Sequence, residues 1–274
     1  MRLGLVVVAA VSLGAATLQV ADPVVGQSDG GAPLAADFAH VPGDTLFLSF
    51  LVAGYQPAAD GKVRLSYTIH VLDPAGVRLV EPVAAALETE LAPQDQEWKP
   101  KVRREIQVPP LAPSGVYRIL VRVSDEVART SAEKQIAFRV RGRDVAPSPT
   151  LTVRNFRFFR GEDDTEPLAK AAYRPGDAVW ARFDIIGFRY GPANRIDVSY
   201  GVAVQAAGGR VLWSQPEAAH QTSESFYPQP YVPGAMGITL QPTIRPGLYA
   251  VAVRVRDALG GQNFESQQNF EVIQ

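Results

Sequence analysis

The chain has 274 residues, enough for one or two full-sized cores, and 46% of them are hydrophobic, a globular composition. With 27 Lys and Arg against 28 Asp and Glu, the net charge of −1 supplies no field that would gather nucleic acid or acidic lipid. The lack of cysteine excludes disulfides, thiol catalysis, cysteine-bound zinc and a lipid-modified cysteine, while 23 glycines and 22 prolines suit many short strands joined by many turns.

At the start, Met1 and Arg2, the apolar run Leu3 to Leu13 and the small residues Gly14, Ala15 and Ala16 have the order of a secretory signal, predicting cleavage after Ala16 and export. The apolar stretch is shorter than the ~20 residues of a spanning helix, so an uncleaved anchor is the weaker alternative and no membrane span is expected after cleavage.

The rest of the chain reads as a duplication. Pro42-Gly43-Asp44 returns as Pro175-Gly176-Asp177 (175 − 42 = 133), Ser66-Tyr67 as Ser199-Tyr200 (199 − 66 = 133), and Tyr117 as Tyr249 (249 − 117 = 132). A period near 133 is the size of a whole domain. Thr17-Leu18 matches Thr150-Leu151 at the same offset, so the first copy begins directly after the expected cleavage site.

Each Pro-Gly-Asp turn launches a strand. Leu46, Leu48, Phe50 and Val52 point inward in the first copy, and Val179, Ala181, Phe183 and Ile185 in the second. Phe47 and Trp180 fall on the opposite face with Ser49, Arg182 and Asp184. After a turn at Gly54 or Gly187 comes an alternating strand, Val63 to Val71, matched by Ile196 to Val204. Turns at Asp73 to Gly76 and Ala207 to Gly209 lead to short strands, Val77 to Val80 and Arg210 to Trp213. Pro82 to Leu91 reads as a short helix or a long connection, and Glu217 to Glu224 as a polar run. Strict period two resumes in Gly115 to Asp125 and Gly247 to Asp257, and a hairpin returns through Lys134 to Val140 and Gln268 to Ile273.

About seven short strands per copy with almost no helical pattern predict an all-β chain of two tandem immunoglobulin-like β-sandwich domains. The divisions are a signal peptide at 1–16, a first domain at 17–140, a linker at 141–149 and a second domain at 150–274. The order Pro-Gly-Asp, apolar strand, then Gly115-x-Tyr117 or Gly247-x-Tyr249 before a Val-x-Val-x-Asp strand resembles the immunoglobulin-like and macroglobulin-type modules of secreted bacterial proteins. That resemblance covers residues 38–140 and 173–273 and implies a tyrosine corner at Tyr117 and Tyr249. It implies a fold and leaves adhesion, assembly, inhibition and carbohydrate binding open.

No catalytic set is legible. The three histidines, His40, His70 and His220, have no second ligand at metal spacing, and neither a nucleophile elbow nor a phosphate loop is present, so no enzyme and no cofactor are expected. The acidic loop Asp163, Asp164 and Glu166 is oxygen-rich but follows no recognised calcium spacing, which makes a solvated loop the plainer reading. Phe226, Tyr227 and Tyr231 sit among three prolines and form either a rigid contact surface or rings packed on their own sandwich. Val153 to Arg160 reads as an arginine-guarded edge strand with a bulge near Asn155 shifting its register, open to strand addition. The expected function is a non-catalytic secreted or periplasmic module for binding, adhesion or assembly with a protein or glycan partner. The alternatives are a carbohydrate-binding accessory using Phe47, Trp180, Tyr227 or Tyr231, and a chaperone or protease inhibitor.

Overall fold

The computed structural model describes residues 17–35, 37–92, 94–95 and 97–274; the expected signal peptide at 1–16 lies outside the described residues. The chain divides into two units, one running to Val108 and including Gly115–Val140, the other comprising Pro109–Ser114 and Arg141–Gln274. The stretch read as a linker thus groups with the second unit, where the Ser114 hydroxyl donates to the Gly142 carbonyl at 2.8 Å.

The first unit holds β1 (Gln19–Gly26), β2 (Ala39–His40), β3 (Thr45–Ala53), β4 (Lys62–Leu72), β5 (Val83–Glu90), β6 (Lys101–Gln107), β7 (Gly115–Asp125) and β8 (Thr130–Val140). The second holds β9 (Thr152–Phe159), β10 (Ala172–Tyr173), β11 (Ala178–Ile186), β12 (Ile196–Ala206), β13 (Val211–Ser223), β14 (Val232–Thr239), β15 (Gly247–Asp257) and β16 (Gln262–Val272). A three-stranded sheet, β1-β3-β6, faces a five-stranded one, β2-β8-β7-β4-β5, and the second unit repeats the order as β9-β11-β14 and β10-β16-β15-β12-β13. Among the described residues only the two-residue strands β2 and β10 pair in parallel, with β8 and β16. Both units are therefore all-β immunoglobulin-like sandwiches of one topology.

The alternation read from the sequence explains the cores. In β4 every second residue from Val63 to Val71 is buried, and in neighbouring β7 Tyr117, Ile119, Val121 and Val123 lie beside them on the same inner face. The second core joins Val179, Phe183 and Ile185 of one sheet to Val198, Val202, Val251 and Val253 of the other. Fully burying such a side chain contributes about 1.5–3 kcal/mol, which makes these faces the main source of stability.

Turn chemistry is repeated as closely. The Asp44 amide bonds to Val41 O and its carboxylate accepts the Val41 amide at 2.8 Å, with Pro42 and Gly43 (φ 94°) between them, as a type II turn requires. Asp177 does the same with Arg174. Tyr249 donates its hydroxyl to Arg245 O at 2.7 Å, completing a tyrosine corner, and stacks on Phe270; Tyr117, fully buried, meets Phe138 with its ring tilted by 34°. Gly115 and Gly247 precede these tyrosines at φ 150° and 154°, where a side chain is strained.

Two expectations about the edges need correction. Val77 to Val80 forms only an isolated bridge between Leu72 and Arg78, and the edge strand is β5, inside the stretch read as helix or connection. In the second unit β13 runs on through the polar stretch to Ser223. The reason is that an edge strand pairs on one side and is covered little: β13 is exposed along most of its length, so hydrogen bonding places it without imprinting a period. A bulge does occur where Asn155 was expected to make one, since Asn155 has φ 52° and the β9–β11 register shifts there; Asp22, 133 residues earlier, has φ 46° at the matching shift in β1 (155 − 22 = 133).

Candidate functional site

The outer face of the five-stranded sheet offers each unit a shallow depression in the same place. In the first it is about 620 Å³, floored by Ser66 and Thr68 and bordered by His70, Arg122, Glu133 and Gln135. In the second it is about 560 Å³, floored by Ser199 and Gly201 and bordered by Glu217, Arg254, Arg256 and Glu265. Cross-strand pairing fixes this arrangement: Arg122 stands opposite Thr68 and Glu133, and Arg254 opposite Gly201 and Glu265. Small residues on β4 and β12 leave a floor, and long side chains on β7, β8, β15 and β16 form its walls.

Four outward residues recur in both copies: Ser66 and Ser199, Arg122 and Arg254, Glu133 and Glu265, Gln135 and Gln267. Each arginine meets its glutamate, at 3.6 Å for Arg122 and Glu133 and 3.0 Å for Arg254 and Glu265, and all four side chains are more than half exposed. Pairs so exposed contribute about 0–1 kcal/mol, so packing alone gives little reason for both copies to keep them. Other outward positions diverge freely, His70 to Ala203 and Ser124 to Arg256 among them. Sequence comparison of the copies contained this signal, but the period-two reading weighted only the inward set.

The residues singled out in the sequence are dispersed. Tyr227 and Tyr231 are buried, at 9% and 6% exposure, whereas Phe226 is 44% exposed. Their loop is tied down by Tyr190, whose hydroxyl donates to Gln229 O, and by the Asn194 amide, which donates to Ser225 O and Phe226 O. Tyr231 lies under the Arg143 guanidinium, which reaches Asp184 at 2.6 Å; Asn155 donates to the same Asp184 oxygen at 2.7 Å. Asp184, expected outward, is wholly buried because Arg143, Asn155 and Tyr231 close over it. Burial raises the Tyr231 hydroxyl pKa, with Asp184 adding to the rise and Arg143 opposing it.

Trp180 is half-buried and lies across Gly237, its partner on β14: a Cβ there would fall 2.6 Å from the indole. Phe183 covers Gly234 in the same manner. Phe47, half-buried, borders a depression of about 280 Å³ with Arg103, Glu105 and Asp29. In the acidic loop Asp164 accepts the Arg160 and Gly161 amides, and Arg182 donates to the Glu162 and Asp164 carbonyls while stacking on Phe159. A guanidinium therefore already engages carbonyl oxygens that a calcium ion would take. Among the described residues no three His, Cys, Asp or Glu come together as a metal site. β9 is the free edge of its sheet, carrying Arg154 and Arg157.

The histidines have separate surroundings. His220 Nε2 lies 2.8 Å from Asp197 Oδ1, and His70 is half-exposed on the first depression. His40 is 1% exposed, with Nδ1 3.7 Å from Asp44 Oδ2 and Arg139 bordering the same cleft. Burial lowers its pKa, and the Asp44 charge opposes this more weakly. Folding therefore favours neutral imidazole, while below about pH 6.5 the unfolded chain takes up the proton. The first domain should lose stability as pH falls from about 6.5 toward the lower folded value, and the loss should shrink in His40→Tyr; thermal melts at pH 7.5 and 5.5 measure both. An equal loss in the variant would exclude His40 as the cause.

Fold and face together define a tandem immunoglobulin-like β-sandwich protein. No protein-family model and no curated protein matches the chain. Among solved structures it is similar to the C-terminal domain of the Streptococcus agalactiae AgI/II polypeptide BspA, with 10% identity over 93% of this chain and 100% of that one and a TM-score of 0.33. It is also similar to the C-terminal domain of the Streptococcus pyogenes antigen I/II-family protein AspA, with 10% identity over 92% of this chain and 99% of that one and a TM-score of 0.34. Among the described residues no helix is long and apolar enough to cross a membrane.

Proposed function

We propose that the chain is a non-catalytic, exported binding module that holds a protein partner at two equivalent sites, the outer faces of its five-stranded sheets. One observation carries this reading: Ser, Arg and Glu recur outward at matched positions of two equivalent depressions where stability does not require them, with Gln135 and Gln267 at matched positions on the same faces. The walls bear both signs, Arg122 with Glu133 and Arg254 with Glu265, which suits a protein surface of mixed charge and not a polyanion. A glycan reading is less favoured, because neither depression presents a fully exposed aromatic ring: Tyr67 and Tyr200 beside the floors are 7% and 8% exposed, and Phe264 at the second is half-buried against the core.

Two sites on one chain raise avidity toward a partner that presents its own site repeatedly. The test is photo-crosslinking in the native host with a benzophenone amino acid at exposed Gln135 or Gln267. Both positions are expected to capture the same protein. Arg122→Glu should abolish capture at Gln135 and Arg254→Glu at Gln267, each leaving the other site active. Capture of unrelated proteins, or capture indifferent to both charge reversals, would refute the reading.

A further inference from the structure

Every sheet of the molecule has two edges, and among the described residues all but one of these edges carry a device that blunts strand addition. Strands β2 and β10 are only two residues long. Strands β1 and β9 are bent by the bulges at Asp22 and Asn155. Strand β6 presents Lys101, Arg103 and Arg104, and β14 contains Pro233. Strand β13 contains Pro216 and shifts register twice against β12. The exception is its counterpart β5, which pairs with β4 without a break from Val83 opposite Ile69 to Glu90 opposite Lys62.

Strand β5 reads Val-Ala-Ala-Ala-Leu-Glu-Thr-Glu, with neither a proline nor a basic residue. Ala84, Ala86, Glu88 and Glu90 are exposed on its outer face, while Val83, Ala85, Leu87 and Thr89 are half-buried on the inner one. No strand lies beyond it in the sheet, so alternate amides and carbonyls along its free side have no ladder partner. Its charge is confined to one end, where Glu88 stands 3.5 Å from Arg64.

This pattern is self-complementary. Two β5 strands can pair antiparallel about a two-fold axis only if each side chain opposes one from the same face. Centred on Ala86, the register sets Leu87 against Ala85 and Glu88 against Ala84, so each larger side chain meets a small one. The two Glu88 carboxylates are then about four residues, or ~14 Å, apart along the strands. Centring on Leu87 instead makes them diagonal neighbours at ~7–8 Å, where like charges repel.

We propose that β5 is a self-association edge at which two copies of this chain pair antiparallel about Ala86, joining their five-stranded sheets into one. The inference does not depend on the partner-binding reading. It sets the first depressions of both copies on one continuous surface, since Ser66 and Thr68 of each floor lie directly beside Ala86 and Ala84. A short edge buries little area, so the dimer is reversible and depends on concentration.

The test is sedimentation of the full chain over a concentration series, and an equilibrium between monomer and dimer is expected. Ala86→Lys, at an exposed position, should leave the thermal melt in place and weaken dimerisation roughly tenfold or more, because two ammonium groups would meet on the symmetry axis. The chain has no cysteine, so Ala86→Cys introduces a unique thiol. Directly opposed Cα atoms are about 4.5–5.5 Å apart, within the span of a disulfide, so mild oxidation should yield a covalent dimer. Glu90→Cys should not crosslink, its two copies standing ~27 Å apart. A dimer indifferent to Ala86→Lys, or equal crosslinking at the two positions, would overturn the proposal. A chain that stays monomeric would overturn it too, and protection of its β5 amides from exchange only in host extract would assign the edge to a foreign strand.

Discussion

Replacing Gly187 with alanine is expected to destabilise the second domain by about 3–4 kcal/mol, and Gly54→Ala to do the same to the first. Each glycine sits at the turn after the first long strand of its domain, at φ 75° and 74°. A non-glycine residue in that conformation costs about 1–2 kcal/mol. The larger part is collision: a Cβ on Gly187 would lie 2.0 Å from Thr150 O, and one on Gly54 would lie 2.1 Å from Thr17 O. Those atoms are backbone at the entry to β9 and β1, so relief requires moving an edge strand. In the second domain this also disturbs Gln262, which accepts the Leu151 amide and donates to Gly187 O. Gly176→Ala is the control, with φ 90° but nothing within 4 Å of the added carbon. Urea denaturation of the three variants decides the matter: equal losses at Gly187 and Gly176 would show that the close approach has no energetic weight.

A loss of about 3–5 kcal/mol is expected for Asp257→Ala, and a similar one for Asp125→Ala in the first domain. These aspartates close the repeated Val-x-Val-x-Asp strand and are 0% and 1% exposed. Asp257 accepts the amides of Arg189, Leu259 and Gly260 and the side-chain amide of Gln262. Asp125 accepts the amides of Gln56, Val127 and Ala128. One carboxylate thus holds the tip of a hairpin and a loop from the far side of the sandwich, and its removal leaves three buried or half-buried backbone donors unmatched. Asparagine keeps one acceptor oxygen, so Asp257→Asn should fall between wild type and alanine. Hydrogen exchange at Leu259 and Gly260 reports it directly; unchanged protection in Asp257→Ala would show that water replaces the carboxylate without cost.

These aspartates also show how far a linear reading reaches. The motif was visible as a repeated string, and its valines were assigned to the core on periodicity alone. The role of the aspartate was not, because the amides it binds come from Arg189 and Gln56, 68 and 69 residues away. Tyr249 was legible for the opposite reason, since its acceptor Arg245 is only four residues upstream. The proposed partner-binding faces are intermediate. Their residues were written in matched copies, but Arg122 and Glu133 become neighbours only through the β7–β8 register.

By itself the sequence determined what depends on near neighbours: the duplication, the period-two strands, the Pro-Gly-Asp turns, the tyrosine corner and the bulge at Asn155. Tertiary structure decided what depends on distant cover. Edge strands β5 and β13 exist by pairing with β4 and β12, not by burial of their own. Asp184 lies on an outward position yet is sealed by Arg143 from 41 residues away, and Tyr227 and Tyr231 are buried while Phe226 beside them is exposed. Period and turn chemistry are properties of adjacent residues, whereas burial is a property of whatever the fold places on top of them.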